Sequence, residues 1–469
     1  MELWLLLGIP LTGCLVLAVF GARGWAPEAN VAFGLGTFLA SCTLTRRVII
    51  EGPLLMGHEQ FFVDPFNVFL VALTAFVGWT TSMFSRPYMR IEEHPGRVNR
   101  QKLRLYHAMY QLFMTTMLCA LLTNNLGLLW VAMEAATLST VLLVSLYRTA
   151  ASIEAAWKYF ILCGVGIAQA LFGTILLYLA AEKVFGADGS TALLWTHLNA
   201  VKEQLEPNVL SLAFVFLLVG YGTKVGLAPL HNWLPDAHAE GPTPISAVLS
   251  GLLLNVALYA VVRCKVLVEG ATHSGLASHL MMGFGLLSVL LAAFFLWRQR
   301  GIVMLAFGMG GPVADFAALL HMTVHSLTKS AIFFAVGHAC QKAGTQVMDN
   351  IRGLIVISPT VGWGLMIGTL AILGMPPFGV FTSEFLIVTT AMRDHPWATP
   401  ILLLALAIAF AAIFRRVQAM VFGETQLNAL PHSPALVPVF AHLSLVSMLG
   451  VYIPPALATW YQLAAALIG

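Results

Sequence analysis

Apolar stretches of about twenty residues recur along the whole chain, and this recurrence decides what it can fold into. They run at about Leu3–Phe20, Ala29–Ile50, Phe66–Phe84, His107–Thr123, Leu126–Tyr147, Trp157–Ala181, Val209–Gly226, Ile245–Leu267 and Leu276–Trp297, then, after an irregular stretch at Gly301–Leu320 whose Gly301–Pro312 part is too short to span, at His321–Gln341, Ser358–Met375, Thr399–Phe422 and Pro438–Leu467. A helix of that length crosses the hydrocarbon core of a bilayer, about 30 Å thick. In water the same stretches could not be covered: 59% of the 469 residues are hydrophobic and 10% charged, against about a quarter charged in soluble domains. The chain is therefore read as an all-α polytopic membrane protein with about fourteen transmembrane helices. Its longest polar segments, Ser85–Arg104 and Glu182–Pro207, leave no room for an inserted soluble domain. The first twenty residues lack a basic n-region and a small-residue cleavage site, so they read as a retained first helix.

The distribution of Lys and Arg sets an orientation, because cytoplasmic loops are enriched in both. With the basic Arg86–Arg104 segment placed in the cytoplasm, fifteen of the 24 basic residues share its side. Seven fall on the other: Arg46, Arg47, Lys183, Lys202, Arg263, Lys265 and Arg393. Lys224 and Lys329 lie inside apolar runs. Both termini are then expected outside, in the periplasm of a bacterial inner (cytoplasmic) membrane.

Composition also narrows function. A net charge of +3 with no basic tract interleaved with aromatics gives no nucleic-acid partner. Cys14, Cys42, Cys119, Cys163, Cys264 and Cys340 stand singly, without the spacing of a zinc, haem or redox site. They read as small buried hydrophobes, and no cofactor or metal is expected. No nucleophile triad or phosphate loop is present, so the chain is not expected to catalyse a reaction itself.

Four charges fall where apolar runs place membrane depth: Glu134, Lys224, Lys329 and Glu384. Ionisable groups there cost several kcal/mol each and line a pathway or pair with one another. Two of them flank interrupted helices. Lys224 precedes Pro229 and Pro235, and Glu384 follows Pro376-Pro377; such prolines break the hydrogen-bond ladder. Non-helical backbone at that depth survives only inside protein or around a wet cavity. A pair of such breaks in corresponding halves points to inverted repeats with an ion site at the break. Ion pairs that merely tie helices together, and kinks without function, are the alternatives.

A third element is a stripe. His321, His325 and Lys329, spaced four apart, share one helix face, with Ser326 and Thr328 nearby. Histidine changes charge near neutral pH, and desolvation makes a lysine ammonium easier to deprotonate, so the stripe can relay protons through intervening water. A polar helix–helix contact is the plainer reading. Zinc binding by the two histidines lacks the acid of an HExxH motif. His338 falls on the opposite face.

These residues resemble a known family. The segment KVGLAPLHNWLPDAHAEGPTPISA (Lys224–Ala247) resembles the signature of the antiporter-like subunits of respiratory complex I and related complexes. Trp130–Thr137 around Glu134, LLHMTVHSLTKSAIFF (Leu319–Phe334) and GMPPFGVFTSEFL (Gly374–Leu386) follow in the family's order. FGMGGPVADFAALLHMTVHSLTKS and MVFGETQLNALPHSPALVPVF are similar to the component F type of the hydrogenase-4 and formate-hydrogenlyase branch.

The resemblance implies three N-terminal helices (1–106), two inverted five-helix repeats (107–267, helices 4–8; 268–422, helices 9–13) and a C-terminal helix (423–469). It implies a central polar axis that carries protons, driven by redox chemistry in partner subunits. Glu134 would be the fifth-helix acid that pairs with Lys224 of the seventh helix. Asn255 stands where many relatives carry an eighth-helix lysine, and water or a nearby histidine, His231 or His238, would bridge that position. His321, His325 and Lys329 would lie on the eleventh helix, and Glu384 would be the acid of the twelfth.

Implied partners are further antiporter-like membrane subunits, a membrane anchor of a quinone or hydrogenase module, and peripheral nickel–iron hydrogenase-like and iron–sulfur subunits. After Arg300 the family's Asp, Lys-Arg and Ala-Tyr-Ser-Ser-type segment has no counterpart. About a dozen residues are expected to be missing between Arg300 and Gly301, the alternative being a remodelled tenth helix. Two other functions stay open at this point: an Mrp-type cation/proton antiporter subunit, and a non-conducting scaffold or partner in inorganic-carbon uptake. The absence of a carboxylate cluster for sodium counts against the first.

Overall fold

Backbone amides within a bilayer have no water to bond, so each must be satisfied inside its own helix or by protein. A computed structural model shows how this chain does so, and describes residues 1–93, 96–186, 191–295, 301–425 and 436–468. In order the helices are α1 (Glu2–Phe20), α2 (Ala26–Glu51), α3 (Pro65–Glu93), α4 (Arg100–Leu122), α5 (Leu126–Val144), α6 (Ala150–Phe185), α7 (Trp195–Ala200), α8 (Pro207–Val225), α9 (Trp233–Glu240) and α10 (Thr243–Val248). They continue with α11 (Leu254–Thr272), α12 (Leu276–Phe295), α13 (Gly301–Met309), α14 (Pro312–Ala343), α15 (Leu354–Ile357), α16 (Pro359–Ile372), α17 (Gly379–Asp394), α18 (Ala398–Phe422), α19 (Val437–Val451) and α20 (Pro455–Ala465). Local chemistry sets many of their starts. Pro207, Pro312 and Pro359 stand in first turns, where no amide donor is needed. Asn99, Asn125 and Thr149 accept from first-turn amides.

Ten helices among the described residues are long and apolar enough to cross a membrane, and the bent pair α19–α20 makes an eleventh. The three remaining expected runs are α12, whose run continues into residues outside those described, and two shorter helices, α13 and α16. The chain is not purely helical. Leu54–Met56 (β1) and Phe61–Val63 (β2) form an antiparallel hairpin that bridges to Thr123 at the end of α4. The polar segment at Ser85 is also not a loop from its start. α3 continues through Pro87 to Glu93 and buries Ser85, Tyr88, Met89 and Glu92.

The expected run Gly301–Leu320 is two helices. α13 has nine residues, about 13 Å at 1.5 Å per residue, under half a bilayer core. Gly310 and Gly311, both with positive φ (69° and 86°), turn the chain into Pro312 and the 32-residue α14. The Arg300–Gly301 junction lies at the edge of residues 296–300, which are outside the described residues.

Packing follows the same order in two stretches. α4 packs on α5, α5 on α6, α6 on α8 and α8 on α11; later, α12 packs on α13, α13 on α14, α14 on α16 and α16 on α18. The helix formed by α10, a π-turn at Leu249–Leu253 and α11 is buried along its entire apolar window.

Candidate functional site

Both expected breaks are present, and their backbones match. α8 ends at Gly226 (φ 75°), where Leu227 N donates to Gly222 O (3.0 Å) and Gly226 N to Thr223 O (3.2 Å). α16 ends at Gly374 (φ 71°), where Met375 N donates to Leu370 O (3.1 Å) and Gly374 N to Ala371 O (3.2 Å). Each is a Schellman closure that satisfies carbonyls a broken helix would orphan. In each a proline follows three residues after the glycine, Pro229 in one and Pro377 in the other. The Trp233 indole covers the Thr223 carbonyl (2.9 Å), and Ser288 Oγ accepts from Ala228 N (3.0 Å). Pro235 and Pro376 complete the pairs, Pro235 already inside α9.

At the first break Lys224, on the last turn of α8, is 0% exposed. Its Nζ donates to Thr137 Oγ1 on α5 and lies 5.2 Å above the Tyr159 ring of α6. Cys163, expected to be only a small hydrophobe, places its thiol against the same amine. Glu134, one turn before Thr137, is half-buried, with Oε2 buried and lacking a hydrogen bond. It acts on Lys224 across space, but no Glu134–Lys224 ion pair within 4.0 Å occurs among the described residues. Between the two, Thr137, on the next turn of α5, accepts from the Lys224 amine while Glu134 acts on it from further away.

The second cluster is built on α14. Lys329 Nζ donates to Ser250 Oγ (3.0 Å) in the π-turn. Asn255 Nδ2 donates to Ser326 Oγ (2.9 Å) and to Gly251 O (3.2 Å), and Ser326 Oγ lies 2.8 Å from the same carbonyl. The π-turn thus presents the Gly251 carbonyl, and the Ser250 side chain beside it, to α14. One and two turns before Lys329, His325 and His321 stack at 5.1 Å. His321 Nδ1 lies 3.0 Å from Ser383 Oγ of α17, and Ser383 donates to Val380 O (2.9 Å), so the imidazole is assigned as the donor to Ser383.

Glu384 follows Ser383, is 9% exposed, and reaches back to the second break. A Cβ at Gly374 would meet its carboxylate, and the positive φ there favours glycine. His238 of α9 joins this cluster: both its ring nitrogens are buried without a hydrogen bond, its ring packs 5.3 Å from Phe333, and it feels the Lys329 charge. His231 stays in the first break between α8 and α9 with Nδ1 buried. His338 packs on Phe84 of α3, 4.8 Å away, off the stripe.

The structure brings in residues that the sequence reading missed. Arg263 and Lys265, counted as loop charges in the orientation tally, are buried within α11 at 3% and 5% exposure. Arg263 Nη2 bonds Asp64 Oδ2 at 2.7 Å inside a cage of Trp195, Tyr259, Phe66 and Phe62 rings 4.5–5.5 Å away. Asp64 caps α3 by accepting from Phe66 N and Asn67 N. The sequence Asp64-Pro-Phe-Asn67 is a helix-start signal that could have revealed it. His442 of α19 lies 2.8 Å from Thr80 and 3.2 Å from the Leu327 carbonyl, pinning α19 between α3 and α14.

Residues 123–411 match the family described as "NADH:quinone oxidoreductase/Mrp antiporter, TM". The chain is 45% identical over 467 residues to a "Hydrogenase-4 component F homolog" of Methylacidiphilum infernorum, covering 97% of each. In fold it is similar to a chain of the archaeal membrane-bound sulfane sulfur reductase (TM-score 0.88, 22% identity, 100% of this chain and 98% of that one). It is also similar to a chain of the Mrp complex from Dietzia sp. (TM-score 0.84, 18% identity, 100% and 97%). The chain belongs to the antiporter-like membrane-subunit family shared by NADH:quinone oxidoreductases and Mrp antiporters, and resembles the hydrogenase-4 component F type.

Proposed function

We propose that this chain is a proton-translocating membrane-arm subunit of a redox-driven complex of the hydrogenase-4 or formate-hydrogenlyase type. The supporting observation is the line of buried ionisable and hydroxyl groups through the bundle. It comprises one cluster of Glu134, Thr137 and Lys224 and a second of Asn255, Ser250, Lys329, His325, His321, Ser383 and Glu384. Ionisable groups at depth are retained where charge must move. In this reading Lys224 holds a proton against Thr137, and a change of charge at Glu134 shifts its affinity. The proton passes by water near Asn255 to Lys329 and leaves by the histidine pair and Glu384.

The fold reading that goes with it has fourteen helices, with inverted repeats at 107–267 and 268–422 between N-terminal (1–106) and C-terminal (423–469) segments. The matched Schellman breaks and the repeated packing order support it. Its setting is a bacterial inner membrane with both termini periplasmic. Partners are other antiporter-like subunits, a quinone- or hydrogenase-module anchor, and peripheral nickel–iron and iron–sulfur subunits. Redox-driven acidification of proteoliposomes holding the assembled complex tests the function. Lys224→Ala should lower it at least about tenfold. Unchanged acidification, or sodium-dependent transport by the subunit without redox partners, would replace this reading with a scaffold or an Mrp-type antiporter respectively.

A further inference from the structure

Glu92 lies outside the axis above, and nothing in the proposed path uses it. It sits one residue from the end of α3, is 3% exposed, and is followed by the exposed Glu93. Its Oε1 accepts from Gln341 Nε2 of α14 at 2.9 Å. Its Oε2 is buried, has no hydrogen bond, and faces the half-exposed Arg97 guanidinium at 3.7 Å. A carboxylate this deeply buried, beside a solvent-exposed arginine, marks the boundary between protein interior and water on the α3–α4 side.

From Gln341 a polar edge runs inward along α14. Gln341 Nε2 also reaches Tyr88 O (3.2 Å), and its Oε1 lies 3.3 Å from His338 Nδ1. The Tyr88 hydroxyl accepts from Thr243 Oγ1 (3.2 Å), and Tyr147 approaches the same hydroxyl. Thr243 presses on α14 at Gly337, where an added Cβ would lie 2.8 Å from its Cγ2. One turn further in, at Phe333, is His238 with both nitrogens unbonded, and one turn beyond that is Lys329. Gln341, Gly337, Phe333 and Lys329 are four residues apart, so the edge spans about 18 Å from the boundary to the axis. The charged and titratable groups around Glu92 are Arg97, Tyr88 and Tyr147, with His338 beyond Gln341 and Lys342 acting on His338.

We propose that Glu92 is the proton-exchanging group through which water on the α3–α4 side communicates with Lys329, by way of Tyr88, Thr243 and His238. The inference rests on the proton-translocating reading. A proton bound at Glu92 moves through hydroxyls and intervening water to the unbonded imidazole of His238 and then to neutral Lys329; this leaves an ammonium at Lys329 and a carboxylate at Glu92, which faces Arg97 and takes its next proton from the water on that side.

Redox-driven acidification by the assembled complex in proteoliposomes tests it. Glu92→Gln keeps the shape and the bond to Gln341 but cannot carry a proton, and should lower the rate about tenfold or more while the complex assembles normally. Glu92→Asp should recover most of the rate, and His238→Gln should match Glu92→Gln. Wild-type acidification by Glu92→Gln would overturn the proposal. Parallel losses in Gln and Asp variants that track the amount of assembled complex would also overturn it, leaving Glu92 an anchor. Lys224→Ala separates the two layers. If it abolishes acidification while Glu92→Gln does not, only this inference fails; if it too is silent, the proton-translocating reading fails with it.

Discussion

At the first break the charge is a lysine on the last turn before the glycine; at the second it is a glutamate ten residues after the glycine. The backbones are otherwise alike: a Schellman closure at Gly226 or Gly374, then a proline three residues on. The difference follows from helix electrostatics. A helix C-terminus carries about half a negative charge and favours Lys224; an N-terminus carries the opposite and favours an acid. Glu384 sits in the second turn of α17, beyond the reach of that field by position alone. Side chains tilt towards a helix N-terminus, however, and its carboxylate returns to Gly374 in the break. One backbone device thus holds opposite charges, each on the helix end that suits it. The lysine is held by a hydroxyl on a neighbouring helix, whereas the glutamate lies against the break's own glycine.

That contrast can be broken by adding a methyl group at each glycine. Gly374→Ala strains a positive φ and also pushes the Glu384 carboxylate out of the break, and should cost about 2–3 kcal/mol in detergent unfolding. Gly226→Ala meets only Leu234 at 3.4 Å and Leu254 at 3.8 Å, so it should cost only the backbone strain, about 1–2 kcal/mol. Equal losses would show that Glu384 does not lean on the break.

Partner deletion comes next. Thr137→Val leaves the fully buried Lys224 ammonium without its acceptor and should destabilise by about 2 kcal/mol. Ser383→Ala removes one neutral contact to His321 and should cost about 0.6 kcal/mol. The reverse order, read by the same unfolding assay, would mean that the second cluster is the more tightly held.

The smallest effect lies at the helix starts. α8 is capped by Glu206, which accepts from Val209 N (2.6 Å) and Asn208 N, whereas α17 begins at Phe378 with no side-chain cap. Those amides, Val209 first, hold the exposed Glu206 carboxyl below its ordinary value. A lowered folded value stabilises above the unfolded value, near 4.3, and the benefit is lost as pH falls through the folded value. Glu206→Gln should therefore lower the unfolding temperature slightly at pH 7 and leave it unchanged well below pH 4. A difference that persists in acid would contradict this.

Much of this contrast was legible in the sequence because breaks and buried charges are local. Two prolines beside Lys224, two beside Glu384, and the four-residue spacing of His321, His325 and Lys329 need no tertiary information. The partners were not legible, since they come from other helices. Thr137 looks like any threonine in an apolar run until α8 is packed against α5. Ser250 and the Gly251 carbonyl meet α14 at a π-turn that no local sequence signal announces. Arg263 near the end of an apolar run reads as a loop charge unless Asp64, 199 positions away, is known to meet it. Glu92 was hidden for the same reason: a polar, proline-containing stretch reads as a loop, but packing against α14 keeps it helical to Glu93.

The central claim is that both breaks lie on one path. Redox-driven acidification by the assembled complex carrying Lys224→Ala, Glu384→Gln or both tests it directly. A single path predicts that each single variant removes at least about nine-tenths of the rate and that the double variant is no worse than either. Single variants that each keep about half the rate, with only the double variant inactive, would mean two independent routes and would contradict the account.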